Sequence, residues 1–369
     1  MVKATLDAQN WAAVPFHFWT VVMFVFGSMV GSFLNVCIYR MPLGLSVVSP
    51  PSHCPKCKYS IPAYLNIPLF TWMILRGRCR NCRDLISPRY FLVELLTAVL
   101  FASSWLGFGG QSVGTALVYC LVLAGLVAAT FIDFEHFIIP DEITVGGMIV
   151  GFFCSFFVPG LHGQVSSSGA MRQSLLGAAL GGVVIYGILR LGKLLFGRQR
   201  LSLPAETRVI FTETALRLPD KDVPYEDLFY RPSDVVCLQA KTVELVDRCY
   251  KDVQVRLSPD LLQIGDEKLN PAEVPYMEAV SAEIVLPREA MGFGDVKFMA
   301  GIGAFLGWKA VLFSLMASSL IGSMVGVFLI LIKRQVWSSR LPYGPYIAIG
   351  AVIWMFGGRE LLDWWMVGR

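Results

Sequence analysis

Long apolar stretches alternate with short charged ones along this chain, and their lengths carry the first information. A helix rises about 1.5 Å per residue, so about 20 apolar residues cross the hydrocarbon core of a bilayer. Runs of that kind recur at roughly 18–39, 89–108, 113–132, 143–158, 174–196, 296–309, 310–332 and 346–367. Eight membrane helices are therefore expected, and the short fourth and sixth must tilt or sit partly inside protein. Residues 27–31, GSMVG, place small side chains four apart, a spacing that lets two helices approach closely. Between 197 and 288 the pattern changes. RVIFTETALRL, DVVCLQAKTVELV and DVQVRLSP alternate with period two, and LPDKD and IGDEK punctuate them as turns. This segment is expected to form a small β-rich domain outside the membrane. It repeats weakly: Leu216, Leu218, Asp220, Val223, Asp227, Leu228 and Tyr230 align with Leu262, Ile264, Asp266, Leu269, Glu273, Val274 and Tyr276, the pattern of two similar hairpin units.

Composition sharpens the class. The 369 residues are 55% hydrophobic and only 16% charged, too apolar for a soluble domain, where about 25% are charged. The net charge of +4 gives no sign of a nucleic-acid partner. Where the charges sit says more. The loop 40–89 carries Arg40, Lys56, Lys58, Arg76, Arg78, Arg80, Arg83 and Arg89 against Asp84 alone, which makes it cytoplasmic. Counting onward puts 133–142, 197–295 and 333–345 (with Lys333, Arg334 and Arg340) inside, and 109–112, 159–173 (with Arg172) and both termini outside. The first apolar run has no small-residue cleavage pattern and reads as a membrane helix rather than a removable leader. The expected fold is a polytopic all-α membrane protein of about eight transmembrane helices, with a zinc-bound cytoplasmic loop and a small β-rich cytosolic insert. Four parts follow: 1–108, a span, the cysteine loop and a second span; 109–196, membrane helices; 197–288, the insert; and 289–369, membrane helices.

Two features carry candidate chemistry. Residues 291–299, MGFGDVKFM, put Asp295 at the mouth of an apolar segment, where a carboxylate is costly and therefore a functional candidate. Its expected partner is Asp133, which ends the third apolar run at the same membrane edge. Two carboxylates brought together share a proton, so one can act as general base on water while the other polarises a scissile carbonyl. Gly292 and Gly294 would let a substrate backbone or an opposing helix come close. Asp141, after Pro140, is read as the N-cap of the next helix, and Glu135, Glu142 and His136 as surface residues. The second feature is CPKC followed by CRNC. Cys54, Cys57, Cys79 and Cys82 make a four-thiolate set for structural zinc, with 21 residues between the pairs. Disulfide or redox use is the alternative, which a reducing cytosol disfavours. Cys37, Cys120, Cys154, Cys237 and Cys249 are scattered and read as packing thiols. The insert shows no metal or nucleophile constellation.

FIDFEHFIIPDEIT, GFGDVKFMAGIGAFLGW and LPYGPYIAIGA, in that order, resemble the active-site segments of bacterial type IV prepilin peptidases, a family of GxGD membrane aspartyl proteases. GSFLNVCIYRMP, the cysteine loop and SPRYFLVELL resemble the N-terminal part of the bifunctional members. The resemblance implies that Asp133 and Asp295 are catalytic, that Lys297 holds a carboxylate or backbone group in place, and that Asp141 is not catalytic. It implies cleavage of prepilin or pseudopilin leaders at the cytoplasmic face of the inner membrane. Methylation of the new N-terminus by S-adenosylmethionine would follow, with donor-binding residues unknown. Assembly proteins of a pilus or secretion system are possible partners of the insert, which the compact members lack, and membrane lipid surrounds the helices. Three alternatives stay open at this point: a protease without methylation, a non-enzymatic receptor or scaffold with a cytosolic sensor domain, and a proton-coupled transporter.

Overall fold

The computed structural model describes residues 15–54, 56–62, 66–196, 198–219, 221–229, 234–287, 292–332, 342–358, 360, 361 and 364. Lys333, Arg334 and Arg340 of the expected cytoplasmic loop, and Asp220 and Tyr230 of the repeat, lie outside those residues. The chain divides into two compact units, Met1–Tyr186 with Gly292–Arg369, and Gly187–Met291.

Helices occupy all eight apolar stretches: α1 (Phe16–Arg40), α2 (Pro88–Ser104), α3 (Val113–His136), α4 (Asp141–Phe157), α5 (Ser167–Phe196), α6 (Phe293–Leu306), α7 (Trp308–Leu331) and α8 (Gly344–Ile353). Five of them, α1, α2 with its continuation to Gly109, α3, α5 and α7, are long and apolar enough to cross a membrane. Helices α4 and α6 have only 17 and 14 residues, and α8 runs for 10 before a wider turn at Trp354–Gly358. Local chemistry sets several boundaries. Ser87 accepts the Arg89 N–H with Pro88 in the first turn of α2, and Ser112 accepts the Thr115 N–H at the start of α3. Helix α5 begins at Ser167, earlier than the apolar run suggested, because the polar stretch SSGAMRQ is already helical.

Small residues set how close the helices come. A β-carbon at Gly27 or Gly31 would fall 2.8 Å from the Ala98 Cα or 2.7 Å from the Glu94 Cα, so GSMVG is the seam between α1 and α2. Gly303 of α6 meets Gly177 of α5 backbone to backbone, where a β-carbon would stand 2.2 Å from the Gly177 carbonyl oxygen. Every residue from Phe298 to Leu306 of α6 is buried, so this short helix sits inside the bundle. A short helix is tolerated there because neighbouring helices, rather than lipid, surround it.

The second unit is one eight-stranded antiparallel sheet in the order β3-β2-β1-β8-β4-β5-β6-β7. Its strands are β1 (Arg198–Thr212), β2 (Ala215–Leu218), β3 (Lys221–Pro224), β4 (Val236–Leu245), β5 (Cys249–Leu257), β6 (Leu262–Ile264), β7 (Glu267–Leu269) and β8 (Tyr276–Pro287). Alternation puts Val209, Phe211, Leu216, Val236, Leu238, Val243, Val255, Leu262, Ile264, Met277 and Ile284 into its core. The first half of β1 was not legible as strand, because LPAET breaks the alternation. The structure absorbs that break as a register shift between Ser202 and Thr207. The strand order reads the same when each strand is exchanged with the one four places on. The registers agree: moving the pairs Phe211↔Leu216 and Leu216↔Val223 by 46 residues gives Leu257↔Leu262 and Leu262↔Leu269, which are also paired.

Candidate active site and thiol cluster

Helix α3 ends one turn after Asp133. The Phe137 N–H caps the Asp133 carbonyl at 3.0 Å with Phe137 in the left-handed region, φ 54°. The chain then turns through buried Ile139 to Pro140, the N-cap of α4. Ile139 is a wedge. It lies 3.5 Å from where a β-carbon on Gly294 would stand, and 3.1 Å from the same point on Gly344. Three chain segments thus meet around it: the end of α3, the start of α6 and the start of α8.

Each start supplies what a carboxylate needs. Asp133, 5% exposed, accepts the Gly344 N–H on Oδ2 at 2.9 Å, at the open N-terminus of α8. Asp295, 7% exposed, lies in the first turn of α6, whose N-cap is Gly292. Unpaired N–H groups and the helix dipole favour negative charge at both places. Asp133 is close enough to act electrostatically on Asp295. The sequence-expected pair is therefore brought together, buried, with helix N-termini aimed at it. Segment 342–344 is fixed in turn by the Tyr343 hydroxyl, which lies 2.9 Å from Ser318 Oγ and 3.1 Å from Ser319 Oγ on α7.

The neighbouring charges fall elsewhere. Lys297 does hold a carboxylate, but it is Asp141, with Nζ to Oδ1 at 2.6 Å. Asp141 is therefore not an N-cap. Pro140 holds that position, and the Asp141 side chain makes no capping bond because it turns toward Lys297. Glu135 pairs with Arg89 at the start of α2, and His136 is exposed. Gly292 and Gly294 are not crowded by protein, since a β-carbon at either would meet nothing closer than 3.6 and 3.5 Å. The tight glycine is Gly344, where a β-carbon would lie 2.7 Å from Asp133 Oδ2. Sequence reasoning gave Gly344 no role. The available signal was its glycine-proline step, which marks a helix start.

The four cysteines also converge, with all Sγ atoms within 4.8 Å of one another. Cys54 to Cys82 and Cys57 to Cys79 are 3.8 and 3.9 Å apart. Bonds of about 2.3 Å from zinc to four tetrahedral sulfurs give edges of about 3.8 Å, so these residues fit that ion. The two halves fold alike. Lys58 N–H bonds the Cys54 carbonyl and Arg83 N–H the Cys79 carbonyl, with both residues at φ 57°. Isolated bridges His53↔Ser60 and Arg78↔Leu85 close the two turns. Backbone N–H groups hold two of the thiols toward the thiolate form. Cys57 is brought down to about 6 by the Tyr59 N–H and then the Asn81 amide, and Cys79 is lowered by the N–H groups of Cys82 and then Asn81. His53 bonds the Pro51 carbonyl rather than joining the cluster.

A helical unit of membrane-crossing length, with a buried carboxylate pair among helix starts and a four-thiol loop, defines an integral membrane protein built for chemistry rather than for packing alone. Comparison with known families narrows this class. The model of the type IV leader peptidase family matches residues 120–201 and 275–327, which hold both aspartates, and that of the bacterial peptidase A24 N-terminal domain matches 25–108, which hold the four cysteines. The chain belongs to the type IV leader peptidase family. It is 28% identical to a prepilin leader peptidase/N-methyltransferase of Aeromonas hydrophila over 96% of this chain and 95% of that one. Identity to the protein of the same name from Legionella pneumophila is 25% over 99% of both. With that of Myxococcus xanthus (strain DK1622) it is 44% over 46% of this chain and 49% of the relative. No solved structure matches the chain.

Proposed function

We propose that this protein is a prepilin leader peptidase and N-methyltransferase of the bacterial inner membrane. The observation that carries the peptidase reading is the burial of Asp133 and Asp295 together at the starts of α6 and α8. One carboxylate takes a proton from water, which attacks the scissile carbonyl. The other, protonated, donates to the carbonyl oxygen. Collapse of the diol breaks the C–N bond, and the proton passes to the leaving amine. The substrates are prepilins and pseudopilins, cut where their apolar helix meets the cytoplasm. Lys297 pairs with Asp141 at the start of α4, outside the catalytic pair. Gly292 and Gly294, uncrowded by protein, leave room for the substrate backbone.

The eight helices are read as eight membrane segments, with the loop 40–89 and the active-site edge facing the cytoplasm, as the Lys and Arg distribution supports. Cys54, Cys57, Cys79 and Cys82 hold a structural zinc ion that closes the loop. S-adenosylmethionine supplies the methyl group for the exposed amine. The insert 197–288 is a duplicated hairpin unit, a reading supported by its matching registers, and it docks substrate or assembly proteins. Mass spectrometry of a prepilin incubated with the purified protein and S-adenosylmethionine tests the whole reading. The expected products are a cut at the leader junction and a gain of one methyl on the new N-terminus. An uncut prepilin overturns the peptidase, and a cut but unmethylated product overturns the methyltransferase.

A further inference from the structure

A buried carboxylate outside the aspartate pair has no cation. Glu94 lies in the second turn of α2 at 9% exposure, and no Lys, Arg or His pairs with it among the described residues. Its Oε2 accepts the Leu69 N–H at 2.7 Å, and the Ser32 hydroxyl of α1 is a second neighbour. A carboxylate held in a helix bundle without a counter-charge is costly, and such groups mark ligand or proton sites. One turn away, Asn35 of α1 is 2% exposed. Its Nδ2 donates to the Tyr90 and Gly31 carbonyls, which fixes the amide orientation and leaves Oδ1 buried with no donor. On these facing helices, Asn35 Oδ1 therefore lacks a donor, and Glu94, although bonded to the Leu69 N–H, lacks a counter-charge.

Resting on the methyltransferase reading above, we propose that Glu94 and Asn35 form a binding site for a primary α-ammonium group. The reaction offers two sources of that chemistry: the new N-terminus of the cut peptide and the amino-acid end of the methyl donor. Placement supports either. Leu69 lies between the two cysteine pairs, so Glu94 ties the inner turn of the zinc loop to the bundle. The pair Arg89–Glu135 joins the start of α2 to the end of α3. Glu94 is five residues beyond Arg89, about 7.5 Å along the axis, and Asp133 two before Glu135, about 3 Å. Both carboxylates thus lie near the same end of the bundle, so an amine released at one has a short way to the other.

The test compares binding of a prepilin-derived peptide with a free α-amine and of its N-acetylated form, by calorimetry on the zinc-loaded protein. The wild type is expected to prefer the free amine by roughly 10–100-fold, the range of a charge-assisted contact. Glu94→Gln, which keeps the acceptor for Leu69, should erase that preference while zinc content and leader cleavage stay unchanged, and Glu94→Asp should restore part of it. If Glu94→Gln instead weakens S-adenosylmethionine binding and leaves the peptide preference intact, the donor is the source and the ammonium site stands. A wild type that binds both peptides equally and an S-adenosylmethionine affinity unmoved by Glu94→Gln overturn the site together. So does a Glu94→Gln variant that loses zinc and cleavage in step, the mark of a structural role. Methylation by the wild type, measured alongside, separates failure of the site from failure of the methyltransferase reading.

Discussion

Gly344→Ala is the sharpest perturbation of the candidate active site, because it touches Asp133 without removing a carboxylate. The new β-carbon would stand 2.7 Å from Asp133 Oδ2 and 3.3 Å from its Cγ, while Ile139 Cδ1 blocks another side at 3.1 Å. Restoring ordinary contact at about 3.4 Å moves the carboxylate by about 0.7 Å. The bond from the Gly344 N–H, now 2.9 Å, then stretches past hydrogen-bond range. Overpacking of this kind costs about 1–3 kcal/mol of stability, and a misplacement approaching 1 Å of a catalytic group costs about 10²-fold in rate. The assay is the initial rate of prepilin cleavage in detergent, with thermal unfolding measured on the same sample. A folded variant slowed by about 10²-fold is expected. Gly146→Ala on α4 is the control, since its β-carbon meets nothing within 4 Å and should leave the rate within a few-fold. Wild-type cleavage by Gly344→Ala would refute the idea that this N–H positions Asp133.

Three further outcomes follow from the geometry. Asp141→Asn removes the partly exposed ion pair with Lys297, so it should cut prepilin as well as wild type and change stability by less than about 1 kcal/mol. Serine at Cys57 should abolish stoichiometric zinc, read by metal analysis, and expose residues 54–85 to added protease, because the two turns then lose their common tie. Excision of 200–286 should leave a membrane unit that folds and cuts prepilin. Arg198 and Pro287 are register partners, so the ends to be joined already lie side by side. Pilus or pseudopilus assembly, scored separately in cells, should fall with the lost docking surface, and cleavage and assembly both unchanged would overturn docking by the insert.

Much of this was legible because it depends on period and length. Apolar runs located the eight helices α1–α8, and two-residue alternation located β4, β5 and the β1–β2 hairpin. The Asp133–Asp295 pair could be found because both residues sit at apolar-run ends on one side of the topology. What escaped depends on contacts across the fold. The Asp141 side chain faces a choice between its own helix start and Lys297, and a sequence separation of 156 hides that choice from local reasoning. Gly344 serves a carboxylate 211 residues away. The first half of β1 was hidden by its own bulge, and the unpaired state of Glu94 shows only once α1 and α2 are packed together.

The pairing of Asp133 with Asp295 is tested most directly by replacing each singly with Asn. Mass spectrometry then follows two substrates: an intact prepilin, and a pre-cut peptide bearing a free N-terminus. Each variant should leave the prepilin uncut while still methylating the pre-cut peptide and retaining zinc, which shows a folded protein that has lost only its water-activating pair. Cleavage at the leader junction by either variant, at anything near the wild-type rate, would contradict the shared-proton pair.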